Sequence, residues 1–256
     1  MQKPTILITN DDGIMAPGIR HLVKFMKELG NVVVVAPDKP QSGMGHAVTI
    51  SSPLRLEKIT AEDKHEEYSC SGTPVDCVKI AVNKVLNKKP DLLVSGINHG
   101  SNSSINVIYS GTMSAAIEGS MESIPSIGFS LHDSSYDANF EPAKKYIQKI
   151  AKNVLENGLP AGTCLNVNIP AVSEKNLKGI KICRQAKGNW EEAFDQRKDP
   201  RGENYYWLTG NFKVYENDNN TDESALKNNY ISVVPVHFDF TAHDFLLELN
   251  KWKLND

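Results

Sequence analysis

Apolar and polar positions alternate along this chain in two periods. Residues 5–9, TILIT, read as a short buried strand. Residues 18–29 then repeat apolar side chains at Ile19, Leu22, Val23, Met26 and Leu29, the spacing of one helical face, until Gly30 stops the run. Residues 31–37, NVVVVAP, are a β-branched run of the kind covered on both sides in a parallel sheet. Together they predict one strand, helix, strand unit.

The pattern recurs downstream. In GTPVDCVKIAVNKVL, Thr73 stands at an N-cap, Pro74 at the first helical position and Asp76 where a capping box wants an acid, with Val78, Ala81, Val82 and Val85 as the apolar stripe. DLLVSG, residues 91–96, predicts the next strand. A helix over about 111–123, a strand in IPSIGFSL, a helix over about 142–156 and a strand in CLNVNI continue the alternation. Such an order predicts an α/β fold whose sheet carries helices on both faces.

Between the first two units, HAVTISSPLRLEKI and EEYSCSG predict a hairpin excursion with a polar link. Beyond Lys181 the texture becomes aromatic and charged, with strand-like runs in NYYWLTG and YISVVPV. We read one domain over residues 1–256, with a core to about residue 180 and a hairpin or arm extension over about 181–256. The aromatic group Tyr205, Tyr206 and Trp207 is expected to pack in a core or an interface rather than to cover a site. No internal repeat or low-complexity tract is present.

Composition narrows the function. A chain of 256 residues, 40% hydrophobic and 23% charged, suits a soluble globular protein. Its net charge of -3 comes from 28 basic and 31 acidic residues that are interspersed, so no basic face is offered and no stable nucleic-acid complex is expected. No segment approaches the roughly 20 apolar residues of a membrane helix, and the first residues lack a signal-peptide design. The expected partners exclude a membrane, and the expected location is the cytoplasm. Cys70, Cys77, Cys164 and Cys183 have no metal-ligand spacing and read as small buried residues of a reducing compartment.

The candidate chemistry begins where the first strand stops. In open α/β sheets ligands bind beyond the carboxyl ends of the strands, and Asn10, Asp11 and Asp12 sit there. Two adjacent carboxylates repel each other unless a cation lies near them. The bland alternative is that one of them caps the helix that follows. The loop after the second strand, APDKPQSGMGHA, carries Ser42, and INHGSNSSINVIYSGT carries Asn98, Asn102 and the Ser110-Gly111-Thr112 run that opens a helix. Two aspartates, a serine hydroxyl and an asparagine carbonyl form an oxygen-only set, which suits one Mg²⁺ or Mn²⁺ rather than Zn²⁺. The start of the helix offers N–H groups, hydroxyls and a positive dipole end, a cradle for phosphate.

ITNDDGIMAPGI, VAPDKPQSGMGHAVTI, GTPVDCV, PDLLVSGINHGSN and YSGTMSAAIEG, followed by DPRGENYYWLTG and TDESALKNNYISVVPV, together resemble the SurE family of stationary-phase survival nucleotidases over nearly the whole chain. The resemblance implies a divalent-metal-dependent phosphomonoesterase that hydrolyses nucleoside 5′- and 3′-monophosphates. It implies metal ligands at Asp11, Asp12, Ser42 and Asn98, phosphate contacts at Asn102, Ser110, Gly111 and Thr112, and catalysis at Asp11 and Asp12. It further implies a three-layer α/β/α sandwich with a Rossmann-like amino-terminal part, and an arm that makes a homodimer and supports a tetramer. The chain departs from the family pattern at His99, at Glu203 and at Asn229, where a glycine is common.

Two other readings address the same residues. A haloacid-dehalogenase-like phosphatase also places aspartates after a first strand, but separates them by one residue and phosphorylates one. A nucleotide sensor would keep the cleft without the reaction.

Overall fold

The computed structural model describes residues 3–59, 65–252 and 254. Its strands are β1 (Thr5–Thr9), β2 (Asn31–Pro37), β3 (Leu56–Ile59), β4 (Glu66–Cys70), β5 (Leu92–His99), β6 (Ser126–His132), β7 (Thr163–Pro170), β8 (Ile180–Ile182), β9 (Gly188–Lys198), β10 (Asn204–Val214) and β11 (Ile231–His237). Its α-helices are α1 (Pro17–Met26), α2 (Pro74–Ile80), α3 (Asn106–Tyr109), α4 (Gly111–Met121), α5 (Lys144–Asn157), α6 (Asp222–Lys227) and α7 (His243–Leu249).

Nine strands form one sheet in the order β3-β4-β2-β1-β5-β6-β7-β11-β8, and β4, β2, β1, β5, β6 and β7 run parallel to one another. Pleating sends alternate side chains to opposite faces. Ile6 and Ile8 of β1 therefore join the cluster built with α1 and α5, while Leu7 joins Cys77, Val78 and Ala115 from α2 and α4. These faces are the two helical layers of an α/β/α sandwich.

Local chemistry explains the element ends. Thr73 accepts from the Asp76 N–H at 3.2 Å, and the Asp76 carboxylate accepts from the Thr73 N–H at 2.9 Å, a complete capping box before α2. Pro142 falls in a 3₁₀ turn, Glu141–Ala143, so α5 begins two residues later than the pattern predicts. At Gly18 a methyl group would meet the Ile97 carbonyl at 1.9 Å, which brings the start of α1 against the backbone of β5. Asn229 has φ +64° after α6, a conformation asparagine tolerates better than most residues.

Three expectations need correction. The hairpin of β3 and β4 is not an excursion, because β4 pairs in parallel with β2 and extends the sheet; its polar link, residues 60–64, lies outside the described residues. The division near residue 180 does not follow the sheet either. β11 lies inside it, antiparallel to β7 and parallel to β8, because ISVV offers buried side chains to both faces. Finally, of the two alternatives for Tyr205, Tyr206 and Trp207, core or interface, the core one fails: they are exposed on the β9–β10 hairpin, which forms its own two-stranded sheet.

Candidate active site

Strand order reverses at β1, which has β2 on one side and β5, reached by way of α2, on the other. A crevice opens at the carboxyl ends of such a pair. There Asp11, Ser42, Asn98, Asn102 and Ser110 line one cavity of about 500 Å³. Backbone bonds hold its loops together: Gln41 N–H donates to the Asp11 carbonyl at 2.7 Å, and Gly45 N–H to the Tyr109 carbonyl at 3.2 Å.

Asp11 is buried at 4% exposure, and burial first, then the charge of Asp12, pushes its carboxyl up to about 6. The Thr112 hydroxyl donates to Asp11 Oδ1 and pulls the other way. A methyl group at Gly111 would lie 2.7 Å from Asp11 Cβ, so only glycine lets α4 start this close to the acid. Burial also raises Asp12, whose Oδ2 accepts from the His99 N–H at 3.2 Å. Neither acid has a lysine or arginine partner among the described residues.

The remaining predicted residues divide by role. Asn98 donates its amide to the Gly100 carbonyl at 2.8 Å, which leaves its own carbonyl oxygen as the end available to a ligand. Ser42 is exposed at the rim. Ser110 caps α4, accepting from Met113 N–H at 3.0 Å, and keeps its own proton for another acceptor. Thr112, expected to touch phosphate, is fully buried with its hydroxyl committed to Asp11. In this structure its side chain supports an acid.

Asn102 is set by residues the sequence did not single out. Its N–H donates to Asn168 Oδ1 at 2.7 Å, its carbonyl accepts from Asn166 at 2.8 Å, and its amide donates to Ser130 Oγ at 2.8 Å. Asn168 in turn donates to Asn166 at 2.9 Å. The NVN alternation in β7 puts both asparagines on one face, a signal that reads from sequence alone only as polar residues in a buried strand. Trp190 and Phe212 of the β9–β10 hairpin also line the cavity, as does Glu223 of α6.

The donor set suits a hard divalent cation: the buried Asp11, a hydroxyl and an amide oxygen line one cavity, and the half-buried Asp12 adjoins Asp11 outside that lining, held by the His99 N–H. Among the described residues no cluster of three His, Cys, Asp or Glu side chains is placed to hold a metal, so neutral oxygens would complete the shell. No helix among the described residues is long and apolar enough to cross a membrane.

The family model described as Survival protein SurE matches residues 6–192. The chain is 64% identical over 257 residues to the 5′-nucleotidase SurE of Christiangramia forsetii, covering 100% of this chain and 99% of that one. It is 65% identical over 256 residues to the 5′-nucleotidase SurE of Flavobacterium psychrophilum, covering 100% of both. The crystal structure of the SurE protein from Aquifex aeolicus superposes with a TM-score of 0.84 at 41% identity, covering 96% of this chain and 98% of that one.

Proposed function

The chain belongs to the SurE family, and from that membership we propose that it is a divalent-metal-dependent phosphomonoesterase hydrolysing nucleoside 5′- and 3′-monophosphates to nucleoside and phosphate. The observation that carries this reading is the convergence of Asp11, Ser42, Asn98, Asn102 and Ser110 on one cavity at the strand-order reversal.

Asp11, Asp12, Ser42 and Asn98 would hold one Mg²⁺ or Mn²⁺, which when bound supplies charge neutralisation and Lewis acidity toward a phosphoryl oxygen. The chain's own residues do the rest. Asp11 and Asp12 orient a water and draw its proton for in-line attack on phosphorus. Thr112 holds the Asp11 carboxylate in place. The Ser110 hydroxyl, the Gly111 N–H at the first position of α4 and the second amide hydrogen of Asn102 donate to non-bridging oxygens as charge shifts onto them. The bond to the ribose oxygen breaks, a proton taken from the attacking water passes to that oxygen, and the nucleoside leaves beside inorganic phosphate.

The same reading includes assembly and location. Phe194, Tyr206, Trp207 and Leu208 on the hairpin, and Phe240, Leu247 and Trp252 near the carboxyl end, are more than half exposed. Apolar patches of this kind mark interfaces, in support of a homodimer, and light scattering measures whether a dimer or a tetramer forms. Four unpaired, buried cysteines support a reducing cytoplasm.

The test is phosphate release from 5′- and 3′-nucleoside monophosphates with EDTA, Mg²⁺, Mn²⁺ and Zn²⁺, beside the Asp12→Asn variant. Metal-dependent release lost in the variant supports the reading. Nucleotide bound in every condition without release overturns it in favour of a sensor.

A further inference from the structure

Glu223 is a cavity-lining charge that the metal and phosphate roles leave unused. It enters from α6 rather than from a strand-end loop, beside Trp190 and Phe212 of the hairpin. Its Oε1 accepts the Ser103 hydroxyl, and no lysine, arginine or histidine pairs with it among the described residues.

Its position is built in. The neighbouring Asp222 is fully buried and accepts three backbone N–H groups, from Ser104 at 2.8 Å, Ala186 at 2.9 Å and Glu223 at 2.8 Å. These bonds clamp the start of α6 to the segment that carries Asn102. Trp190 and Phe212 are likewise fixed, edge to face with ring centres 5.6 Å apart, and Trp190 Nε1 donates to Asn106 Oδ1 at 2.8 Å.

A carboxylate in a cavity that admits a phosphate dianion repels it, and among the described residues no lysine or arginine lines the cavity to offset that repulsion. The charge is useful only where the substrate presents neutral donors. A nucleoside monophosphate has such donors in its ribose hydroxyls, and the neighbouring indole and phenyl rings give its base a surface to stack on. We propose that Glu223 is a specificity-determining residue, accepting a hydrogen bond from a ribose hydroxyl through the carboxylate oxygen that Ser103 leaves free. This rests on the nucleotidase reading above. A site built to bond a substrate hydroxyl rejects the analogue that lacks it, because the acceptor is then left unpaired.

The experiment compares kcat/KM for a ribonucleoside 5′-monophosphate, its 2′-deoxy and 3′-deoxy counterparts and p-nitrophenyl phosphate in the wild type, Glu223→Ala, Glu223→Gln and Ser103→Ala. The wild type should prefer the ribonucleotide over at least one deoxy counterpart. In Glu223→Ala the ribonucleotide should lose about 10-fold relative to that deoxy counterpart, while the deoxy counterpart and p-nitrophenyl phosphate should hold or rise as the repulsive charge is removed. Glu223→Gln should fall between, since a neutral acceptor bonds more weakly. Ser103→Ala should retain the preference, which separates substrate contact from loop support. A wild type indifferent to the deoxy changes, a preference that survives Glu223→Ala, or an equal fall on all substrates overturns the proposal while leaving the nucleotidase reading intact. No release from any phosphate ester by the wild type overturns both.

Discussion

The Thr112 hydroxyl, in the first turn of α4, donates to the Asp11 carboxylate at the end of β1 across 101 positions of sequence. This bond orients an acid proposed to hold a cation, and partners of that kind tune the affinity of the ligand they support. Thr112→Val should therefore weaken Mn²⁺ binding by roughly 10- to 100-fold, read by titration calorimetry. At saturating Mn²⁺ the KM should stay near the wild-type value. A raised KM with unchanged Mn²⁺ affinity would return Thr112 to the phosphate site.

Burial raises the cost of ionising Asp11 and Asp12 in the metal-free protein, and the charge of Asp12 adds to that cost at Asp11. The Asp11 carboxyl, raised to about 6, stabilises the fold fully only below its unfolded value, and that contribution is lost as pH rises through 6. Asp12→Asn removes the neighbouring charge. At pH 7 the metal-free variant should melt about 2 °C above the wild type, and it should lose both the Mn²⁺-induced rise in Tm and phosphate release. Circular dichroism checks that the fold is unchanged.

Asn168 accepts both the Asn102 N–H at 2.7 Å and the Ser101 hydroxyl at 3.1 Å inside the protein. Asn168→Ala leaves the Asn102 N–H without an acceptor and Asn166 Oδ1 without its donor, while the Ser101 hydroxyl keeps Ser103 Oγ, at a cost of about 1–3 kcal/mol in urea unfolding. Because Asn102 then loses its support, product inhibition by inorganic phosphate should weaken as well. Loss of stability with unchanged phosphate inhibition would confine Asn168 to a structural role.

Glu118 lies buried beneath α2 and the Ser42 loop, meeting His46 at 2.9 Å and Lys79. Burial alone pushes its carboxyl up, but the bonds from His46 and Lys79 outweigh it and hold the group below the usual range. Such a group stabilises the fold above its unfolded value and loses that contribution as pH falls through the lowered folded one. Glu118→Gln should cost roughly 2 kcal/mol at pH 7, and the melting temperatures of variant and wild type should begin to converge as pH falls below about 4.5.

Much of this molecule is written in short stretches of sequence. The two periods of apolar residues placed the strands from Thr5–Thr9 to Thr163–Pro170 and the long helices among them, because burial of one face is decided by neighbours two, three or four positions away. The box of Thr73 and Asp76 is legible for the same reason. So was the grouping of Asp11, Ser42, Asn98, Asn102 and Ser110, since loops after parallel strands must emerge at one edge of the sheet. Which polar atom meets which is a different matter. A threonine at a helix start is chemically able to cap, to hold phosphate or to support an acid, and only the approach of α4 to β1 turned Thr112 to Asp11. The docking of β11 between β7 and β8, the choice of Trp190 and Phe212 over Tyr205 and Trp207 as cavity wall, and the arrival of Glu223 were likewise decided by packing between distant segments. Local periodicity carries no information about such pairings, because their energy exists only once the intervening chain has folded.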